Sequence, residues 1–373
     1  MPSRILVVFG TRPEAIKLFP VVNELRKQSK CAVRVCVTGQ HRDLLDQVLN
    51  ISGIVPDIDL NIMQHKQTLD ELVARMLIGL GNVMDREKPD QIIVQGDTAT
   101  AMTAALAGYH RKISVSHVEA GLRSGNIYEP WPEEVARRLI STIALNHFAP
   151  TQRAADTLLA EGTPADRVFM TGNTVVEALL ATVQKIGAEP KRVADLAPLV
   201  ERFADRRIIL VTSHRRENFG AGLLQIAEAI RILADRGDVA IIFPIHPNPD
   251  VQIAFKTKLA NHPAIALIEP QDYPHFVYLL NIAYLVLTDS GGVQEEAPSL
   301  GKPVLVMRNV TERPEGIDAG TARLVGTDQN IIVDHANNLL DDAKAYLAMS
   351  KAHNPYGDGH ASERIAKVLL NEI

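Results

Sequence analysis

The chain is predicted to fold as two doubly wound α/β domains facing a cleft, and three observations support that reading. Its 373 residues exceed the usual size of one compact core. In both halves, short apolar runs alternate with segments whose apolar residues recur at helical spacing. Several of the apolar runs end in polar turns, and the carboxyl edge of an open parallel sheet is where ligands bind. The first domain is expected over 1–170, with a C-terminal helix of about 360–373 packing back on it, and the second over 171–359.

Arg4–Phe9 reads as a first buried strand, ending in Gly10-Thr11-Arg12-Pro13-Glu14. Thr11 suits an N-cap with Glu14 three residues on, and Pro13 suits the opening turn of a helix. Ile16, Phe19, Val22 and Leu25 continue at helical spacing, and Pro20 should bend that helix. Ala32–Thr38 is a second strand, Gln40-His41-Arg42-Asp43 opens a short amphipathic helix, and Thr68–Arg86 forms a longer one. Gln91–Val94 is a third strand, running into Gln95-Gly96-Asp97-Thr98 and the small-residue helix Ala99–Tyr109. Ile113–Val118 is a fourth, ending at Glu119-Ala120-Gly121. Trp131-Pro132-Glu133-Glu134 opens a helix to Leu145, and the alternation continues through Phe148-Ala149 and the helix Thr151–Glu161. Gly187–Pro198 carries the charges and prolines of an inter-domain connection. Beyond it, strands are predicted at Arg207–Thr212, Val239–Ile245, Ile265–Ile268, Leu285–Leu287 and Pro303–Met307, with helices between. The tail Ala361–Asn371 is amphipathic. The halves echo each other in architecture without a close sequence repeat.

Composition removes several function classes. Hydrophobic content of 46% with 22% charged residues is ordinary for a soluble globular protein, and a net charge of −5 leaves no basic footprint for nucleic acid. No apolar run is long enough to span a bilayer, and the chain enters a strand pattern without a signal peptide, so a cytoplasmic location is expected. Cys31 and Cys36, five apart on one strand, would face opposite sides, so neither a disulfide nor a metal pair is expected. The twelve histidines show no pair at metal-ligand spacing beside an acid, and no metal is predicted. The first strand lacks a Gly-x-Gly-x-x-Gly turn and no Gly-x-x-x-x-Gly-Lys-Ser/Thr occurs, which disfavours a dinucleotide cofactor and an NTPase.

The most informative stretch is Thr288–Ala297. A buried strand breaks into Ser290-Gly291-Gly292, and a helical pattern starts at once. Glycines there let the backbone approach a ligand, and the helix's first amides face an anion. Glu296, one turn on, suits sugar hydroxyls. Phosphate on the amides and ribose on the carboxylate make a nucleotide site, although an ordinary strand-to-helix turn with a solvated acidic pair fits the same residues. Arg12 and Lys17 flank the start of the first helix, where cations oppose the dipole unless an anion binds or water screens them. Asp97 and Glu119 fall just past predicted strand ends, and Glu133 lies in a helix's opening turn, where an acid is favoured in any case. Asp97 could equally cap the helix after it. Three converging carboxylates would repel, and such a cluster can supply a base and an acid for proton transfer. His214, beside Arg215 and Arg216, could hydrogen-bond phosphate or protonate a leaving group.

In combination these motifs resemble one family. Gly10–Lys17, Gln95–Thr98, His117–Arg123, Pro130–Glu134, His214–Asn218, Asp289–Glu296, Arg308–Arg313 and Asn354–Gly359 are similar, in register and over essentially the whole chain, to the non-hydrolysing UDP-N-acetylglucosamine 2-epimerases. The resemblance implies the GT-B fold of two Rossmann-like domains, usually in a homodimer. It implies interconversion of UDP-GlcNAc and UDP-ManNAc, for polysaccharide biosynthesis, without NAD or metal. The implied route is anti elimination of UDP to a 2-acetamidoglucal and re-addition after the C2 proton returns on the other face. It assigns Asp97, Glu119 and Glu133 to acid/base work and His214 to UDP departure. Arg12, Lys17 and Ser290–Gly292 would hold the diphosphate, Gln271 and Phe276 the uracil and Glu296 the ribose, with Arg313 reaching the nucleotide. A second UDP-GlcNAc, bound as activator, would use the segments around Gln40, Asp43 and Lys66. Family members so activated carry Gln and Arg where this chain has Asp43 and Lys66, and an acid near a pyrophosphate is unfavourable. Neighbouring readings are an epimerase for a related UDP-2-acetamido sugar, a retaining glycosyltransferase on the same fold, and a non-catalytic nucleotide-sugar sensor.

Overall fold

The computed structural model describes residues 2–39, 42–64 and 67–371, without the side chains of 42–44. Two compact units form, one from Met1–Ala178 with Tyr356–Ile373 and one from Leu179–Pro355. The units divide inside the helix Val175–Ala188. The segment expected as a connection is instead folded: Pro190–Leu196 is 3-10 helix that buries Val193 and Leu196 within the second unit. Prolines at a helix's first turns start helices as readily as they mark linkers.

The first unit is a parallel sheet of seven strands: β1 (Ser3–Phe9), β2 (Cys31–Val37), β3 (Ile58–Asp59), β4 (Gln91–Gln95), β5 (Ser114–Val118), β6 (Asn146–Ala149) and β7 (Val168–Met170). Their order is β3-β2-β1-β4-β5-β6-β7, so the winding reverses between β1 and β4. In register, Ile5 faces Val33 on one side and Gln91 on the other. Near-continuous apolar runs such as Ile5-Leu6-Val7-Val8-Phe9, all buried, are what a strand covered on both faces requires.

The helix Arg12–Arg26 runs on through Pro20. Its start is tied by Glu14, fully buried, whose Oε2 accepts from Gly10 N (3.0 Å), Thr11 N (2.8 Å) and Thr11 Oγ1 (2.8 Å). Thr98 Oγ1 donates to the other oxygen at 2.6 Å and so joins this helix to the end of β4. Burial raises the Glu14 carboxyl above its usual range, and those donors oppose the rise. Gly121, at φ 93°, admits the helix Gln152–Ala160: a Cβ there would meet Ala154 O at 2.2 Å.

The second unit repeats the plan with β8 (Arg207–Thr212), β9 (Val239–Pro244), β10 (Ile265–Ile268), β11 (Leu285–Thr288), β12 (Val304–Val306) and β13 (Ala322–Leu324). All are parallel, in the order β10-β9-β8-β11-β12-β13, with the reversal between β8 and β11. Its core joins Leu223, Ile226 and Ile230 of the helix Ala221–Ala234 to Ile209, Ile241 and Leu305 of the sheet.

No helix among the described residues is long and apolar enough to cross a membrane. The last helix, Ala361–Leu369, packs back on the first unit against Arg12–Arg26 and buries Ile365, Ala366 and Leu369. Arg364 Nη1 donates to Thr171 O at 3.0 Å, and Ser362 N to Glu177 Oε1 at 2.8 Å. Ile365→Ala is therefore expected to destabilise the first unit by about 2–5 kcal/mol, read as a lowered urea midpoint. A midpoint equal to wild type would show that the helix is not part of that unit's core.

Candidate active site

The first unit gathers its chemistry at the carboxyl edge of β4 and β5. Glu119 directly follows β5 and takes φ 63°, in the left-handed region. That conformation costs a residue with a Cβ on the order of 1–2 kcal/mol. Three donors fix its buried carboxylate: an ion pair with Lys17, a hydrogen bond from Gln95 Nε2, and one from Asn173 Nδ2 at 3.3 Å. Gly96 lies beside it at φ 69°, a left-handed backbone that glycine adopts without strain. Glu119 thus overlies the residue preceding Asp97.

Asp97 does not cap the next helix. Thr98 does, with Oγ1 accepting from Ala101 N at 3.0 Å. Asp97 pairs instead with Arg137 of the helix Glu133–Ile143, whose Nε lies 3.1 Å from Oδ2. Arg137 Nη1 reaches Glu134 Oε2 at 3.0 Å, and buried Glu134 also accepts from Ser124 N (3.0 Å) and Arg138 Nε (3.1 Å). Burial alone would raise the Glu134 carboxyl, but the Ser124 amide, Arg138 and Arg137 outweigh it and hold it below its usual range. Glu133 is half-buried, and its side chain makes no hydrogen bond or ion pair among the described residues. Asp97 and Glu119 are brought together; Glu133 is linked to them only through its own helix. Arg12, the first residue of its helix, is half-buried and its side chain has no hydrogen bond among the described residues, whereas Lys17 is joined to Glu119.

Beneath these acids lies His117, fully buried, with Nε2 donating to Gly96 O at 2.7 Å. Burial pushes its imidazole down to about 3, and that hydrogen bond does not restore it. His147, paired with it across β5 and β6, is pushed down to about 4 for the same reason.

The second unit has the corresponding edge at β8 and β11. The turn Asp289-Ser290 leads into the helix Gly291–Glu296, and Ser290 N donates to Thr288 Oγ1 at 2.9 Å. Gly291 packs close to the Glu312 carboxylate: a Cβ would stand 2.9 Å from Oε1, so that side chain would have to shift. Gly292 would meet nothing within 4 Å, so its open side faces space. His214 is half-buried and stacks on His246 at 5.5 Å between ring centroids. Arg215 Nη2 bonds Glu312 Oε1 at 3.1 Å, and Arg308 Nε bonds Glu217 Oε1 at 2.6 Å. Glu296 is buried, and Arg313 pairs with its neighbour Glu295. Gln271 Nε2 donates to Glu269 O at 2.7 Å, and Phe276 is half-buried in the helix Tyr273–Ile282. His275 beside Phe276 resists protonation through burial, but Asp195 at 2.9 Å and Asp272 outweigh that and raise it above its usual value. Gln40 and Lys66 lie outside the described residues. Asp43 falls on the helix Arg42–Ser52, but its side chain is likewise outside them.

A family model for UDP-N-acetylglucosamine 2-epimerase matches residues 23–370. The chain belongs to the UDP-N-acetylglucosamine 2-epimerase family. It is 51% identical over 373 residues to the UDP-N-acetylglucosamine 2-epimerase of Yersinia pestis, covering 99% of this chain and 98% of that one. The Escherichia coli K12 enzyme of the same name is 50% identical over 372 residues, at the same coverage. Among solved structures, UDP-GlcNAc 2-epimerase from Neisseria meningitidis, bound to UDP-GlcNAc, superposes with a TM-score of 0.90. That structure is 44% identical, covering 99% of this chain and all of that one. The Methanocaldococcus jannaschii enzyme, in complex with UDP-GlcNAc and UDP, gives 0.80 at 35% identity, with 99% of each chain covered. Both units therefore have the Rossmann-like, GT-B-type architecture of this epimerase family.

Sequence reasoning missed the partners of the epimerase-like acids. Gln95, Asn173 and Arg137 carry no motif of their own, and only Gln95 stood inside a quoted segment. Arg137 had one usable signal, its spacing of four from Glu133 and three from Glu134 on one helix face.

The buried histidines set an expected pH dependence. Both are neutral in the folded protein, whereas an unfolded chain protonates them near 6.5. The unfolded state then binds more protons, so stability falls as pH drops from about 6.5 toward 4, by about 1.4 kcal/mol per pH unit for each excluded proton. Denaturation midpoints measured from pH 7 to 4.5 should show a shallower decline in His117→Asn than in wild type. Equal slopes would mean that His117 takes up its proton without unfolding.

Proposed function

We propose that the protein interconverts UDP-GlcNAc and UDP-ManNAc by inverting C2 of the sugar. Membership of the family supports the reaction. The observation that carries the assignment of groups is the pairing of Asp97 and Glu119 at one sheet edge, each matched to its own cation, Arg137 and Lys17.

In the proposed route one carboxylate takes the proton from C2. The C–H electron pair forms the C1–C2 double bond, and the C1–O pair leaves with UDP, giving the 2-acetamidoglucal. A proton is then delivered to the opposite face of C2, and a UDP oxygen adds back to C1. The two steps are redox-neutral. Inversion calls for acid/base groups serving both faces of the ring, the role proposed for Asp97, Glu119 and Glu133. Departure of UDP is helped by positive charge and fixed dipoles at the oxygen where charge develops. Arg12, Lys17, His214 and the amides at Ser290–Gly292 are assigned to that oxygen and its diphosphate. Gln271 and Phe276 would contact uracil, Glu296 the ribose and Arg313 the nucleotide. A cytoplasmic homodimer is part of the same proposal, as is a second UDP-GlcNAc bound as activator around Gln40, Asp43 and Lys66.

Incubation with UDP-GlcNAc in heavy water should place deuterium at C2 of both epimers, followed by NMR. Transfer of the sugar to an acceptor without C2 exchange would indicate a glycosyltransferase instead, and binding without turnover a sensor. Asp97→Asn or Glu119→Gln should lower turnover by about a hundredfold or more, with UDP affinity changed far less. For the activator, initial rates should rise sigmoidally with UDP-GlcNAc, and the UDP-ManNAc direction should show a lag; a hyperbolic curve without a lag removes it.

A further inference from the structure

The chemistry assigned so far makes no use of the buried carboxylate at the strand end beside His214. Asp289 follows β11 and is fully buried. Its Oδ2 accepts from Ser213 Oγ (3.0 Å), His214 N (2.8 Å), Arg215 N (2.9 Å) and Asn218 Nδ2 (3.3 Å), which anchors the 213–218 turn to the strand end. Its Oδ1 is different. That oxygen is buried with no hydrogen-bond partner among the described residues, and His214 Nδ1 lies 3.3 Å from it. A buried acceptor left without a donor costs on the order of 1–3 kcal/mol. A small turn of the imidazole closes the gap, and catalytic hydrogen bonds are often long until the substrate complex tightens them.

We propose that Asp289 is a positioning residue for His214, fixing its proton on Nδ1 and turning Nε2 away from the carboxylate toward the leaving diphosphate. This rests on the reading of His214 as the group that assists UDP departure. His246 stacks on one face of the ring, and of the two flipped orientations about Cβ–Cγ that keep this contact, the carboxylate favours the one with Nδ1 toward it. Nε2, left unprotonated by the Nδ1–H tautomer, takes up a solvent proton when the diphosphate binds. As the C1–O bond breaks and its electron pair passes to UDP, the resulting imidazolium Nε2–H hydrogen-bonds the departing oxygen while Nδ1–H stays on Asp289. No bond to His214 forms, and the contact is released when UDP adds back. An imidazolium needs a carboxylate behind it here. Burial lowers the His214 imidazole, Asp289 opposes that, and Arg215, His246 and Arg308 add to the lowering. Arg215 is itself paired with Glu312, and Arg308 with Glu217 and Glu312. Replacing such a carboxylate by its amide preserves shape but selects the wrong tautomer, which in the serine-protease triad lowers kcat about 10⁴-fold.

The test is ring ¹⁵N NMR of histidine-labelled protein, with His214 assigned by His214→Gln. In wild type, neutral His214 should carry its proton on Nδ1; a proton on Nε2 overturns the proposal without any variant. In Asp289→Asn the amide N–H faces Nδ1, so the proton should move to Nε2. C2 deuterium exchange should then fall about 10²–10⁴-fold, with UDP affinity within a few-fold of wild type. Ser213→Ala, which removes an anchoring bond to Oδ2 alone, should keep the wild-type tautomer and lose less than tenfold in rate. Equal losses in both variants would leave Asp289 as an anchor of the turn only. If wild type shows no C2 exchange, the epimerase reading fails, while the tautomer comparison still decides the positioning role.

Discussion

Glu119 occupies a backbone conformation that residues with a Cβ avoid, and the acid edge of the first unit depends on how it is kept there. Lys17 comes from the first helix, Gln95 from β4 and Asn173 from the turn after β7, and all three meet on its carboxylate. Charge-assisted hydrogen bonds of this kind are worth about 1.5–3 kcal/mol each, enough together to exceed the cost of one left-handed residue. The strain is thus stabilised by three separate parts of the chain, and a change in any of them would let the backbone relax and move the carboxylate. Gly96 completes the arrangement by taking a left-handed backbone of its own, φ 69°, at the adjoining strand end.

The two units use the same device with different emphasis. In each, a buried acid at a helix start or strand end gathers donors from strand-end turns: Glu14 from Gly10 and Thr11 after β1 and Thr98 after β4, and Asp289 from Ser213, His214, Arg215 and Asn218 after β8. A carboxylate suits this task because it accepts several bonds at once and has no proton to place. Glu14 is satisfied on both oxygens and so reads as architecture. Asp289 is satisfied on one, and the remaining oxygen is what gives it an orienting role toward His214.

Much of this was legible in the sequence, for identifiable reasons. Apolar runs such as Ile5–Phe9 and Leu285–Thr288 announce buried parallel strands because both faces are covered. The capping pattern at Thr11 and Glu14 was visible as a spacing. The two-residue β3 and the short β13 were not, because a strand that brief has no period to detect. Within the site, residues at strand ends were readable because chain order alone puts them on the ligand edge. Their partners were not, because Lys17 and Glu119, or Asp97 and Arg137, meet only after the sheet orders its strands. Asp289 stood inside a quoted motif yet went unused, since nothing in sequence says that one oxygen would be left over.

The pairing also answers an objection to carboxylates as catalysts for a diphosphate-bearing substrate. The oxygen that departs from C1 is attached next to the carbon that loses its proton, so base and anion must tolerate one another at short range. Two like charges 4 Å apart cost about 4 kcal/mol at an effective dielectric near 20. Unpaired acids would repel the substrate they are meant to deprotonate. Lys17 and Arg137 place a cation against each carboxylate and so offset that repulsion. Loss of the proton and loss of UDP share one barrier, so stabilising the leaving anion eases both. The requirement that follows is that cation and carboxylate act together: a Lys17 or Arg137 replacement would disturb proton transfer and diphosphate tolerance at once, whereas loss of the carboxylate alone disturbs only the first.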